Sequence, residues 1–96
     1  MCKKLSRKNE LLLKLSRYSA EYETLEKMKV EYYEKHKKVT RTNILTLYHQ
    51  QIYLDTLIKK ICNLVDKLNK ENILIDNEVA LEVHRDFKNA IKMGLL

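Results

Sequence analysis

From Met1 to Met93 this chain contains neither glycine nor proline, and its single glycine is Gly94. Tight turns draw on both residues, glycine for positive φ and proline for a preset φ. A chain of β-hairpins would have almost nothing to turn with. Lysine, glutamate and leucine dominate instead, and all three favour helix. The fold class is therefore all-α, and 96 residues bound it to one domain.

The densest apolar run is Leu54–Leu68, LDTLIKKICNLVDKL. Its apolar residues recur at i, i+3, i+4 and i+7, the pattern of one wide helix face rather than of a strand. Two heptad seams overlap in it. One is Leu54, Ile58, Ile61, Val65 and Leu68; the other is Leu57, Ile61, Leu64 and Leu68. A two-stranded coiled coil needs one seam, so a doubled seam predicts a helix packed on at least two neighbours.

Ahead of it, the spacing predicts a first helix over about residues 6–38. Leu11, Leu15, Tyr18, Tyr22 and Leu25 keep a 4-3 rhythm, and after a polar interruption at Lys29 it resumes at Tyr32, His36 and Val39. The heptad phase changes between Val39 and Ile44, where Thr40, Thr42 and Asn43 each offer a capping oxygen. A continuous helix over 6–70 would be about 97 Å long. A bend at 39–43 is the more economical reading, with a second helix over about 44–70. Residues 69–77 break the pattern, and Ile73, Leu74 and Ile75 read as a buried connector. A third helix follows over about 77–93, with Asp76 or Asn77 as its cap, Glu78 and Glu82 in its first turns, Lys88 and Lys92 in its last, and Gly94 to close it. The expected architecture is a long antiparallel helical hairpin, coiled-coil-like, plus a shorter C-terminal helix.

The net charge is +6, and the basicity is concentrated in the first part of the chain. Residues 1–41 carry twelve Lys/Arg against six acids, whereas residues 71–96 carry three against five. Lys3, Lys4, Arg7 and Lys8 stand where a helix dipole disfavours cations, so helix stability does not explain them. Lys35, Lys37, Lys38 and Arg41 form a second cluster at the expected bend. Both clusters are candidate contacts for an anionic partner, nucleic acid included, although they sit at opposite ends of the first helix. Leu11, Leu12, Leu13 and Leu15 near the basic N-terminus only partly satisfy the needs of a membrane-surface helix.

Nothing in the sequence carries catalysis. His36, His49 and His84 share no turn with one another or with a cysteine, so no metal motif is present. Glu31 with Glu34, and Glu78 with Glu82, lie among lysines on expected solvent faces. There is no phosphate loop, nucleophile elbow or HExxH sequence, and no enzyme, cofactor or small-molecule substrate is expected. Cys2 and Cys62 form no disulfide framework, no signal peptide or membrane span is apparent, and an intracellular setting in cytoplasm or nucleus follows. Residues 1–19, with six basic residues and only Glu10 as an acid, keep a mitochondrial presequence as the alternative.

The reading that fits these residues is a non-catalytic subunit assembling through coiled-coil-like packing, with its own copies or in a larger complex. The expected contact residues are Leu54, Leu57, Ile58, Ile61, Leu64, Val65 and Leu68, faced by Leu15, Tyr18, Tyr22 and Leu25. Ile61→Asp is then expected to abolish assembly. The alternative is a small basic regulatory protein that binds nucleic acid through the two Lys/Arg clusters, with affinity falling steeply in salt.

Overall fold

In a computed structural model, which describes residues 6–38 and 40–95, the chain forms α1 (Arg7–Lys35), α2 (Arg41–Lys70) and α3 (Glu78–Lys92). No strand occurs among the described residues. α1 and α2 make the expected antiparallel hairpin, and α3 folds back against both. The cross-hairpin partners step up one helix as they step down the other. Arg7 meets Glu71 at the base, Glu21 meets Tyr53 midway, Lys29 meets Gln51, and Tyr32 meets Asn43 near the bend.

Side-chain caps set the boundaries. Ser6 Oγ accepts the Asn9 amide at 3.2 Å and starts α1. The bend falls between Lys35 and Arg41, so α1 ends sooner and α2 begins earlier than the heptads suggest. Thr40 is the cap that decides this, its hydroxyl accepting the Asn43 amide at 3.2 Å. Asn43 then turns its own side chain back over the bend. Its Nδ2 donates to the Lys38 carbonyl at 3.0 Å, and its Oδ1 accepts the Tyr32 hydroxyl at 2.9 Å. A bend without glycine or proline is thereby held by side-chain hydrogen bonds.

α2 ends in a Schellman motif. Asn72 takes the left-handed conformation, φ 58°, which asparagine tolerates better than most residues. The Ile73 amide reaches the Leu68 carbonyl at 2.9 Å and the Asn72 amide reaches Asn69 at 3.1 Å. Ile73 is thereby laid over the end of the core. The same motif closes α3, with Gly94 at φ 75° and the Leu95 amide on the Ala90 carbonyl at 2.9 Å. The connector is only partly buried: Ile75 is inside, but Leu74 is 87% exposed. Burial alternates along its three apolar residues, with Ile73 half-buried, Leu74 exposed and Ile75 inside.

Asn77 does two things at once. Its Oδ1 caps α3 through the Ala80 amide at 3.1 Å, and its Nδ2 donates to Ser19 Oγ at 3.2 Å. Ser19 is the buried polar residue of α1, and this bond both satisfies it and pins the start of α3 to that helix.

The core lies at the base of the hairpin. Leu11 and Leu15 of α1, Ile61, Cys62, Val65 and Leu68 of α2, Ile75, and Ala80 and Val83 of α3 form one cluster. Each fully buried leucine, isoleucine or valine contributes about 1.5–3 kcal/mol. Toward the bend the packing changes in kind. Among the described residues from Ala20 to Tyr53, none is buried. The radius of gyration is 16.1 Å, against about 13 Å for a compact chain of 100 residues. The dimensions are 51 × 40 × 17 Å. Two helices side by side need a breadth of only about 15 Å. α3 therefore leans outward from the hairpin, and at about 22 Å it is half the length of α2.

Stability should follow this division. Ile61→Ala is expected to cost about 2–5 kcal/mol in urea unfolding, whereas Ile52→Ala should stay within about 0.5 kcal/mol. Hydrogen exchange should show slow amides over the buried parts of α1 and α2 and fast ones on both sides of the bend. Equal protection along the hairpin would contradict this account.

Candidate interaction surface

The structure places the expected contact residues in two groups. Leu15, Leu54, Leu57, Ile61, Val65 and Leu68 are buried within the chain, while Tyr18, Tyr22, Leu25, Ile58 and Leu64 are half-buried at its margins. The doubled seam does touch two neighbours, and both belong to this chain: α1 takes one side and α3 the other. Ile61 has no exposed surface, so Ile61→Asp would bury a charge and unfold the chain rather than report on assembly.

The surface left uncovered lies toward the bend. Ile44, Tyr48, Ile52, Asp55 and Lys59 follow one another at helical steps of four and three, so they share one face of α2. The basal part of that face, Asp55, Ile58 and Lys59, looks into a hollow of about 310 Å³ beneath Phe87 and Ala90 of α3. Its distal part carries Ile44, Tyr48 and Ile52, each about half exposed, with no helix over them. α1 repeats the arrangement along Tyr22, Glu26, Val30 and Tyr33. Tyr33 is 62% exposed and, with Val30 and Leu47, lines a shallow hollow of about 460 Å³ between the two long helices. α3 thus covers the basal half of one hairpin face and leaves the distal half open. On that face, positions that look alike in sequence differ in whether α3 reaches them.

Polar contacts hold this half together. Lys29 Nζ donates to Gln51 Oε1, and Tyr53 donates to Glu21 at 2.7 Å, a bond that raises the tyrosine's pKa. Gln50 Oε1 is buried without a hydrogen-bond partner. An orphaned acceptor costs about 1–3 kcal/mol, another sign that the packing here is incomplete.

The basic clusters remain apart. Lys35, Lys37, Lys38 and Arg41 gather around the bend and are exposed. Arg7 and Lys8 lie at the other end of α1, about 42 Å away by helical rise. Arg7 has an anion within the chain, Glu71 at 3.0 Å. Lys3 and Lys4 lie outside the described residues, as does Cys2. No group of three or more metal-ligating side chains converges among the described residues. His36 stacks on Tyr32, His49 meets the edge of Tyr48, and His84 joins Asp66. No helix among the described residues is long and apolar enough to cross a membrane.

One titratable cluster ties α3 to α2. His84 Nε2 donates to Asp66 Oδ1 at 2.7 Å, since the carboxylate only accepts, and Lys88 Nζ donates to Oδ2 at 3.1 Å. The His84 bond, followed by Lys88, holds the Asp66 carboxyl below its usual range against a smaller opposing effect of burial. Beside it the Cys62 thiol is pushed up to about 11, first by burial and then by Asp66. Cys62 packs in the core, where burial disfavours its thiolate.

A depressed carboxyl pKa stabilises the fold above the unfolded value of about 3.9 and loses that effect as pH falls through the folded value. Asp66→Asn is expected to lower the melting temperature at neutral pH. The gap from wild type should close as pH falls from about 5 to about 2. Asp66 is half exposed, so the difference should stay below about 1 kcal/mol. A gap that persists at the acid end would assign the effect to packing instead.

No protein-family model matches this sequence, and no curated protein or solved structure matches it either.

Proposed function

We propose that this chain is a non-catalytic structural subunit that assembles inside the cell by packing further helices onto the open half of its hairpin. Those helices belong to its own copies or to other subunits of a larger complex. The observation that carries the reading is the coreless distal half. Val30, Tyr33, Ile44, Tyr48 and Ile52 are exposed there, over helices that hold no buried residue among those described from Ala20 to Tyr53. Apolar faces of this kind mark contact surfaces. A helix laid on the distal face would continue what α3 does at the base, and ridges-into-grooves packing needs no motif beyond helical spacing.

Light scattering across a wide concentration range, alone and with candidate partners, tests this. Association is expected, and Ile44→Asp combined with Tyr48→Asp should abolish it. Both side chains are exposed, so helicity should be retained. A strict monomer whose distal amides exchange as slowly as its core would overturn the reading, because no partner would then be needed.

A further inference from the structure

The outward lean of α3 opens a cleft between it and the hairpin. Its larger part, about 620 Å³, runs between α1 and α3 over an apolar floor of Tyr22, Val30, Val79 and Val83. It adjoins the 310 Å³ hollow under Phe87 through the shared residues Tyr22, Val83 and Asp86. The rim is acidic. Glu23, Glu26, Glu31, Glu82 and Asp86 stand around the larger part against Lys27. This concentration of carboxylates occurs in a chain whose net charge is +6. Among the described residues, Glu23, Glu26, Glu31 and Glu82 make no ion pair with a Lys or Arg of the chain. Tyr22, in the floor, feels them directly: burial raises its hydroxyl pKa, and Glu26, Asp86 and Glu82 add to the shift.

Two helices diverging over an apolar floor form a seat for a third, since helix axes pack at about 8–10 Å. Like charges left facing one another along such a seat select the opposite charge on whatever fills it. We infer that this cleft binds an amphipathic helix of a partner protein whose bulky apolar residues are flanked by lysine and arginine. The inference rests on the proposed role as an interaction subunit and specifies the partner chemistry at one site. The chain's own basic α1 is a poor occupant from a second copy. Its Leu11 and Leu15 are already buried at home.

The test uses two synthetic amphipathic peptides of about 18 residues, long enough to span about 27 Å as helix. One is built from leucine and lysine, the other from leucine and glutamate. Binding is read by fluorescence anisotropy and by amide chemical-shift mapping on the full chain. The lysine peptide is expected to shift residues 22–31 and 79–86. It should bind about tenfold or more tightly than the glutamate peptide, by charge complementarity. In the double variant Glu26→Lys, Glu82→Lys, whose sites are both exposed, the carboxylates and lysines of the rim balance and the preference should be lost with helicity unchanged. Equal binding of the two peptides by the unaltered chain, or a preference that the double variant retains, overturns the inference. So do shifts confined to other surfaces, or a cleft whose signals move with protein concentration alone, which would make the occupant a second copy. If peptides bind the distal face but not the cleft, the interaction role survives and the charge-selected site does not. If neither peptide binds anywhere, the charge-selected site falls, while the interaction role is still decided by light scattering.

Discussion

Everything in this molecule hangs on one crowded helix face. Ile61, Cys62, Val65 and Leu68 are the points at which α2 is gripped by α1 through Leu11 and Leu15 and by α3 through Ala80 and Val83. Small Ala80 allows close approach of α3, and the Asn77–Ser19 bond fixes where that approach begins. The Asp66 cluster with His84 and Lys88 adds a polar clasp on the outside. Because α3 is short, this grip is confined to the base.

The consequence is a protein of two halves joined by continuous helices. The base has a core; the distal hairpin has caps, cross-helix hydrogen bonds and a heptad rhythm, but no interior. Helices in proteins gain most of their stability from tertiary packing rather than from propensity. Under the proposed function, a hairpin end that lacks packing and displays tyrosines and isoleucines would be half of an interface. Tyrosine suits such a place, since its ring accepts burial while its hydroxyl still finds water or a polar partner.

Charge divides the surface in a different way from apolar exposure. Cations collect at the bend and at the start of α1, whereas carboxylates collect along the cleft between α1 and α3. The acids of that cleft come from α1 and α3, distant in sequence, and those of α1 stand among lysines in the basic part of the chain. A tally of charge by segment therefore describes α1 as basic and does not reveal its acidic side. Folding sorts the two signs onto different faces.

Much was legible beforehand. Helical class, three helices, the hairpin, a cap at Asp76 or Asn77 and a close at Gly94 all follow from local physics: spacing, missing turn residues and side-chain oxygens placed to meet free amides. The doubled seam correctly required two neighbours for α2. Where those neighbours come from is not local information. Ile58 and Ile44 lie on one face of α2, about four turns apart, yet Ile58 is half-buried beneath Phe87 and Ile44 is 54% exposed. That difference arises from how far α3 reaches along the hairpin and at what lean. Such reach depends on the Ser19–Asn77 anchor and the Schellman turn at Asn72, contacts that join residues far apart or set chain direction. The sequence by itself determined the helices and their apolar stripes, because both are fixed within a few residues. Only the tertiary structure decided which stripe becomes core and which stays open, because burial depends on what lies across the gap.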